Sequence, residues 1–267
     1  MLTIPAPAKL NLTLEVLAKR SNGFHEIRSV IQTINLCDIL HFQLSRRVEF
    51  KSDMPNWIPG ESLVSEATSL LGEATGCRKG ATIEISKRIP LTSGLGGDSS
   101  DAAAILRGLN TLWGLGLTQE KLLELAVQLG SDVAFFLYGG TALVEGRGEI
   151  VTPLPPFPHM WVVLMVPPVP TLKEKTKRLY ASLKASHYTD GQVTHRLVEA
   201  LKEHREFTPS MLFNTFENVA FKYFSEMRVY REHIVKVGAD KVHLAGSGPT
   251  LFTLVNDKAQ AEELHLR

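Results

Sequence analysis

Apolar and polar residues alternate over much of the first 45 positions, which is the pattern of strands that bury one face. In the segment AKLNLTLEVLAKR, residues 8–20, every second side chain is apolar. Ser21-Asn22-Gly23 then has the composition of a hairpin turn. The segments HEIRSVIQTINL and DILHFQL, which meet near Cys37-Asp38, predict a second and a third strand. The chain is therefore expected to open with antiparallel strands.

Helical periodicity takes over after residue 60. Residues 60–76 predict a helix that ends at a glycine, and residues 102–114 and 117–129 predict two more, the last between Thr118 and Gly130. Two strands are expected among them, ATIEISK at 81–87, with Ala81, Ile83 and Ile85 inward, and TALVEGRGEIV at 141–151. The short apolar piece 133–140 lies just before the second of these strands.

Four prolines between positions 153 and 158 mark a change in the chain and predict a domain boundary, with domains at 1–152 and 153–267. Beyond them we expect a strand at 160–167, helices around 173–184, 192–203 and 216–227, and two strands flanking the glycine turn 246–249. Strands and helices in both halves, opening on a hairpin, favour the α+β class over a doubly wound parallel sheet.

Composition narrows the class of protein. The 267 residues carry a net charge near +1 without a dense run of Lys or Arg, which argues against nucleic acid as a partner. No apolar stretch approaches 18 residues and no leader is visible, so neither a membrane nor secretion is expected. The only cysteines, Cys37 and Cys77, indicate neither a disulfide framework nor a zinc site. A cytoplasmic protein fits these features, and its oligomeric state is left open.

The segment PLTSGLGGDSSDAAA, residues 90–104, carries the clearest chemical signal. Its three glycines, Gly94, Gly96 and Gly97, allow unusual backbone angles and a close approach by a ligand. Ser99, Ser100 and Asp101 are residues that commonly cap a helix, so a helix is expected to start there with its amides pointing toward the glycines. That arrangement binds phosphate.

The type of phosphate loop follows from what this segment lacks. No Gly-Lys-Ser/Thr ends it, so it is not a Walker P-loop. The dinucleotide-binding fingerprint also fits poorly, because a serine replaces its third glycine and residues 88–93 separate the loop from the preceding strand. An ordinary capped loop remains the alternative.

Two charged residues stand out against apolar surroundings. Lys9 and Asn11 point to the same side of the first strand, either toward a site or as the solvated face of an edge strand. Asp132 precedes four apolar side chains and is expected to be partly buried, where a carboxylate needs a cation or hydrogen-bond donors. It could equally be the N-cap of a helix at 133–138.

Two further segments are ambiguous when taken singly. LAGSGPT, residues 244–250, could face an anion with its amides or be a tight turn between strands. Phe24 and His25 could stack on and hydrogen-bond a planar ligand, or be side chains of a hairpin.

Together and in order, the segments 5–30, 90–104, 129–149 and 244–252 resemble the GHMP kinases, the family of galactokinase, homoserine kinase, mevalonate kinase and phosphomevalonate kinase. The resemblance implies an N-terminal domain like ribosomal protein S5 and a ferredoxin-like C-terminal domain. It implies ATP and Mg²⁺ as cofactors. The opening motif and the Gly-Phe-His turn are similar to those members that phosphorylate the 2-hydroxyl of a cytidine diphosphate-linked methylerythritol, a small-molecule substrate of non-mevalonate isoprenoid synthesis.

The resemblance also implies roles for residues. Asp132 would take the hydroxyl proton, and Lys9 would pair with that carboxylate and stabilise charge near the transferred group. The triphosphate would lie against residues Pro90, Leu91, Thr92, Ser93, Gly94, Leu95, Gly96, Gly97, Asp98, Ser99 and Ser100. The substrate would contact Asn11, Phe24, His25, Gly246 and Ser247. The metal ligands are not predicted beyond a place near Ser99 and Ser100.

This chain departs from the family pattern at several positions. Phe24 replaces a usual tyrosine, Ala134 replaces a usual proline, and Ser93 and Asp98 replace small residues. Ser62 stands where an asparagine is common near the adenine, which leaves that contact open. Asp98 must either turn away from phosphate or meet Mg²⁺.

Two other functions remain open at this point. One is a kinase of the same family with a smaller acceptor such as homoserine or mevalonate. The other is a nucleotide-binding regulator without turnover.

Overall fold

The computed structural model describes residues 1–55, 57–170 and 172–267. Its strands are β1 Leu2–Asn11, β2 Thr13–Lys19, β3 His25–Ser45, β4 Glu49–Ser52, β5 Gly80–Ser86, β6 Thr141–Gly146, β7 Ile150–Pro153, β8 Trp161–Met165, β9 Phe213–Asn214, β10 His243–Leu244 and β11 Leu251–Val255. Its helices are α1 Leu63–Thr75, α2 Gly97–Trp113, α3 Gln119–Leu129, α4 Ser131–Tyr138, α5 Lys175–Ser182, α6 Gln192–Lys202, α7 Glu217–Tyr223, α8 Met227–Lys236 and α9 Lys258–Leu266. Within these residues no helix has the length and apolar character to cross a membrane.

The described residues form two compact units that alternate along the chain. The first unit contains residues 1–9, 33–91 and 96–139, and the second contains residues 10–32, 92–95 and 140–267. The glycine-rich loop therefore contributes residues to both units. The boundary at 152/153 stays a prediction.

The first unit packs helices against a sheet formed by the second half of β3 with β5 and β4. β5 runs antiparallel to β3 and parallel to β4. Ala81, Ile83 and Ile85 are buried, as their alternation predicts. Helix α2 is buried along most of its length, and at Gly108 a side chain would collide with the ring of Phe42.

The second unit contains the opening hairpin and a separate three-stranded sheet. β2 and the first half of β3 pair antiparallel across the predicted turn at residues 21–23, and β6 joins the other edge of β3. β8, β11 and β10 form the separate sheet, which is antiparallel throughout. Strands and helices are mixed in both units, and the α+β class is confirmed.

Several element boundaries differ from the prediction. Residues 25–45 form one strand where two were expected, because Asp38 satisfies its buried carboxylate with backbone amides of residues 88 and 89 and does not break the strand. The expected strand 8–20 is divided between β1 and β2, and the expected strand 141–151 is a hairpin of β6 and β7. The helix expected at 216–227 is α7, which ends at Tyr223, and α8 and α9 were not predicted.

Candidate active site

The glycine-rich loop leads into α2, as predicted, but the helix begins earlier than its serines suggest. Its N-cap is Gly96, with a left-handed φ of 76°, and the amide of Ser100 already bonds the Gly96 carbonyl at 2.9 Å. Ser99, Ser100 and Asp101 therefore lie inside the helix, and the prediction that they cap it was wrong. Helix geometry leaves the first amides of α2 without partners in their own helix, so the loop ends at a site suited to an anion.

Lys9 and Asp132 form an ion pair in the first unit. Lys9 Nζ lies 3.5 Å from Asp132 Oδ2, and the side chains are 5% and 39% exposed. The solvated-edge interpretation of Lys9 was therefore wrong. So was the capping interpretation of Asp132, because Gly130 is the N-cap of α4 and Asp132 lies in its first turn. A half-exposed carboxylate held by a buried ammonium can accept a proton from a bound hydroxyl.

Gly96 brings the loop next to this pair. A Cβ added at Gly96 would lie 3.1 Å from Lys9 Cγ and 3.0 Å from two ring atoms of Phe136. The end of the glycine-rich loop thus packs directly on the aliphatic stem of Lys9. Three features that the sequence analysis treated separately, the loop, Lys9 and Asp132, meet in one place.

Asp98 turns toward α1. Its carboxylate accepts hydrogen bonds from the Ser62 hydroxyl and, at 3.1 Å, from the Leu63 amide. Ser62 is itself the N-cap of α1. The negative charge of Asp98 is therefore placed at the positive end of another helix, where it is favourable.

A buried charge cluster that the sequence analysis missed lies under the start of α2. Lys87 Nζ bonds Asp38 Oδ2 at 2.5 Å and Asp101 Oδ2 at 2.6 Å, and all three side chains are almost inaccessible to solvent. Burial raises the pKa of Asp101 to about 7 despite the attraction of Lys87. For Lys87, burial acts to lower the pKa, but the attraction of the two carboxylates is stronger. The pKa of Lys87 is therefore raised above its ordinary value.

In the second unit, loop residues 92–95 pack on the turn that follows β10. The Ser93 carbonyl accepts the Thr250 amide at 3.2 Å. A Cβ at Gly94, whose φ is 91°, would lie 2.9 Å from the Gly248 carbonyl oxygen. The turn containing Gly246 and Ser247 is therefore in backbone contact with the glycine-rich loop.

The remaining predicted substrate residues belong to the second unit, where they lie in its hairpin or beside it. Asn11 is buried and donates to the Ser29 hydroxyl at 2.9 Å. Phe24 is 54% exposed, with the Arg147 guanidinium 4.9 Å from its ring centre.

His25 is mostly buried and stacks on Tyr180, with ring centres 4.7 Å apart and planes inclined by 21°. The edge of Tyr188 is also close, at 6.1 Å between ring centres. Burial, assisted by the charge of Lys19, lowers the pKa of His25 below its usual range. This shift favours the neutral imidazole, and the two tyrosines pack against its ring.

Tyr180 and Tyr188 were missed as neighbours of His25 because nothing in their spacing pairs them with the hairpin. Tyr180 lies within the helix expected at 173–184, and no role was predicted for it. Across the described ranges, no group of three or more His, Cys, Asp or Glu side chains is arranged to hold a metal ion.

Comparison with known proteins identifies the family of the chain. Two family models match, GHMP kinases N terminal domain over residues 62–140 and GHMP kinases C terminal over residues 196–267. The chain is 49% identical to 4-diphosphocytidyl-2-C-methyl-D-erythritol kinase of Dehalococcoides mccartyi over 265 residues, which is 99% of this chain and 93% of the relative. It is 40% identical to the Geobacillus kaustophilus protein of the same name over 270 residues, 99% of this chain and 91% of that one.

A solved structure shows the same fold. The crystal structure of a 4-(cytidine 5'-diphospho)-2C-methyl-D-erythritol kinase matches with a TM-score of 0.83 and 32% identity, covering 98% of this chain and 93% of that one. The predicted fold is thereby confirmed. With both family models matched in order and with relatives of this identity over almost its whole length, the chain belongs to the GHMP kinases, a family of ATP-dependent small-molecule kinases.

Proposed function

We propose that this chain transfers the γ-phosphoryl group of ATP to the 2-hydroxyl of 4-diphosphocytidyl-2-C-methyl-D-erythritol, in the cytoplasm, as a step of non-mevalonate isoprenoid synthesis. The observation that carries this proposal is its 49% identity, over 99% of the chain, to a relative of that name. The Lys9–Asp132 pair supports a catalytic role rather than a purely regulatory one, because binding of phosphate alone requires neither residue.

In this proposal Asp132 accepts the proton of the attacking hydroxyl. Its carboxylate is 39% exposed and therefore accessible to an acceptor, while the buried ammonium of Lys9, 3.5 Å away, fixes its position. The same ammonium stabilises negative charge that develops beside it as the phosphoryl group moves. A positioned general base of this kind contributes about 10²- to 10⁴-fold to the rate.

The triphosphate lies, in this proposal, along residues 90–100. The first amides of α2 and the positive end of its dipole attract the phosphate oxygens. Asp98 does not oppose this, since its carboxylate is bound to Ser62 and Leu63.

The residues near the loop also fit Mg²⁺. The hydroxyl of Ser100 is buried with no hydrogen-bond partner in the described part of the chain, and Mg²⁺ takes oxygen ligands. We propose that Ser100, together with the neighbouring Ser99, holds it. When bound, Mg²⁺ neutralises charge on the phosphate oxygens.

The acceptor is held, in this proposal, by residues of the second unit. Phe24 presents an exposed aromatic face to the cytosine, and the imidazole of His25 can form a hydrogen bond with the edge of the base. Asn11 and the turn containing Gly246 and Ser247 contact the rest of the molecule.

The decisive experiment measures ADP release by the purified protein with Mg-ATP and one acceptor at a time. The cytidyl substrate should support turnover, and homoserine, mevalonate and galactose should not. Asp132→Asn serves as the catalytic control and should abolish most of the signal. Turnover with homoserine or mevalonate but not with the cytidyl substrate would show that the proposed acceptor is wrong. Absence of turnover with all four acceptors would favour a nucleotide-binding regulator.

A further inference from the structure

The first residue of α5, Lys175, connects two segments of the predicted site. Its ammonium donates to the carbonyl oxygen of Thr92 at 2.7 Å and also to the carbonyl oxygen of Gly248. Thr92 belongs to the glycine-rich loop and Gly248 to the turn after β10. The adjacent Thr176 hydroxyl lies 3.0 Å from the hydroxyl of Ser247 in the same turn. The start of α5 therefore touches both segments through side chains.

The backbone at this contact is strained. Thr92 has a left-handed φ of 53°, which is a genuine outlier for a β-branched residue. Among the described residues only three that are not glycine have a positive φ; one is Thr92, and another, Glu174, directly precedes Lys175. Such conformations cost energy and persist where surrounding contacts enforce them. A charge-assisted hydrogen bond to the Thr92 carbonyl is a contact of that kind.

Two further contacts between loop and turn are made by the backbone. The Ser93 carbonyl bonds the Thr250 amide, and Gly94 approaches Gly248 so closely that no side chain would fit. These contacts are made by Ser93 and Gly94, whereas the Thr92 carbonyl accepts its hydrogen bond from Lys175. Lys175 is the side chain that bonds to Thr92 and to the turn at once.

We propose that Lys175 is a positioning residue of the kinase, which holds Thr92 in its left-handed conformation and joins the nucleotide loop to the acceptor turn. This inference rests on the proposed function for the assignment of the turn to the acceptor. Since one side chain bonds both segments, ordering of the loop by nucleotide also orders the turn. Nucleotide and acceptor then strengthen each other's binding, and by linkage each does so by the same factor.

The test compares Lys175→Met, which keeps the length but removes the charge, with Lys175→Arg and with Lys177→Met. Lys177 is on the same helix, exposed, and paired with Glu174, so it controls for loss of a nearby charge. Affinity for a magnesium complex of a non-hydrolysable ATP analogue is measured by calorimetry, with and without the cytidyl acceptor. Melting temperatures are recorded for each protein.

Lys175→Met should weaken nucleotide affinity about tenfold, the scale of one charge-assisted hydrogen bond. In this variant the ratio of nucleotide affinities measured with and without the acceptor should be close to one. Lys175→Arg should retain part of both effects, and Lys177→Met should match the parent protein. Unchanged melting temperature with these losses supports positioning. Equal nucleotide affinity in Lys175→Met and the parent protein would overturn the proposal.

A second variant tests the strain directly. Glycine adopts a left-handed φ without steric cost, so in a Thr92→Gly background the effect of Lys175→Met should fall to threefold or less. An undiminished tenfold effect in that background would overturn the role assigned to Thr92. The effect on nucleotide affinity is measured without acceptor. If the proposed acceptor is incorrect, the proposed function fails but this result is unaffected.

Discussion

Removal of the ammonium from the buried cluster of Lys87, Asp38 and Asp101 should destabilise the protein strongly. Lys87→Met leaves two carboxylates whose side chains are completely buried. Loss of one partner from a buried ion pair costs about 3 to 5 kcal/mol, since the remaining charge is uncompensated. In this variant Asp38 still accepts hydrogen bonds from the backbone amides of Arg88 and Ile89, at 2.5 and 2.8 Å. Most of the cost therefore falls on Asp101.

The pH dependence of this cost follows from Asp101. Its Oδ1 has no hydrogen-bond partner among the described residues, and its Oδ2 loses Lys87. The protonated form avoids a buried charge, and with a folded pKa already near 7 that form is accessible at low pH. The loss of unfolding free energy in Lys87→Met should therefore be about 3 to 5 kcal/mol at pH 8, where Asp101 is charged, and clearly smaller at pH 5.5.

Urea denaturation followed by circular dichroism at both pH values measures this loss. Lys51→Met is the matched control, because Lys51 pairs with Glu84 on the surface at 3.5 Å and such pairs contribute about 1 kcal/mol or less. The double variant Lys87→Met/Asp101→Asn should regain at least about 2 kcal/mol at pH 8, since it removes the uncompensated charge. A loss in Lys87→Met at pH 8 no larger than that in Lys51→Met would refute the reasoning.

Three further predictions concern single side chains. Asp132→Asn should lower kcat by about 10²- to 10⁴-fold and leave nucleotide affinity unchanged; steady-state kinetics with a calorimetric titration checks this, and near-normal kcat would remove Asp132 from the chemistry. His25→Ala should raise KM for the cytidyl acceptor by up to roughly a hundredfold without altering KM for ATP; a rise confined to ATP contradicts the base-binding role. Because the folded pKa of Asp101 is raised from 3.8 to about 7, its contribution to stability is complete below pH 4 and is lost as pH rises to 7. In the parent protein the unfolding free energy should fall by up to about 4 kcal/mol between pH 4 and pH 7, and in Asp101→Asn this fall should be smaller. Urea denaturation at both pH values measures it. A parent protein that is equally stable at pH 4 and 7 would contradict the prediction.

Local pattern was sufficient for much of the fold. Alternation gave the strands of the opening hairpin and β5, and the Thr118 cap and Gly130 end gave α3. Prediction from local pattern failed where a group distant in sequence determines the conformation. Asp38 interrupts an apolar pattern and predicts a break, but amides about 50 positions later satisfy it inside a continuous strand.

The site shows the same limit. Lys9 and Asp132 were identified separately, and only the resemblance to the family joined them before the structure placed them 3.5 Å apart. Lys175 gave no signal at all, because its partner carbonyl lies 83 positions away and belongs to the backbone, which any residue type supplies. Contacts to backbone atoms leave no pattern in the side chains of the partner segment.

Asp98 and Ser62 show how two departures from a family pattern can be one feature. From the sequence alone, neither the acid Asp98 in a phosphate loop nor Ser62 in place of an asparagine was explained. In the structure the carboxylate of Asp98 accepts the Ser62 hydroxyl and the Leu63 amide, so the acid completes the N-terminus of α1. A serine at position 62 supplies the donor that directs the carboxylate there, and the helix dipole favours its charge. The loop can therefore carry an acid without presenting it to phosphate, provided that position 62 carries a hydrogen-bond donor.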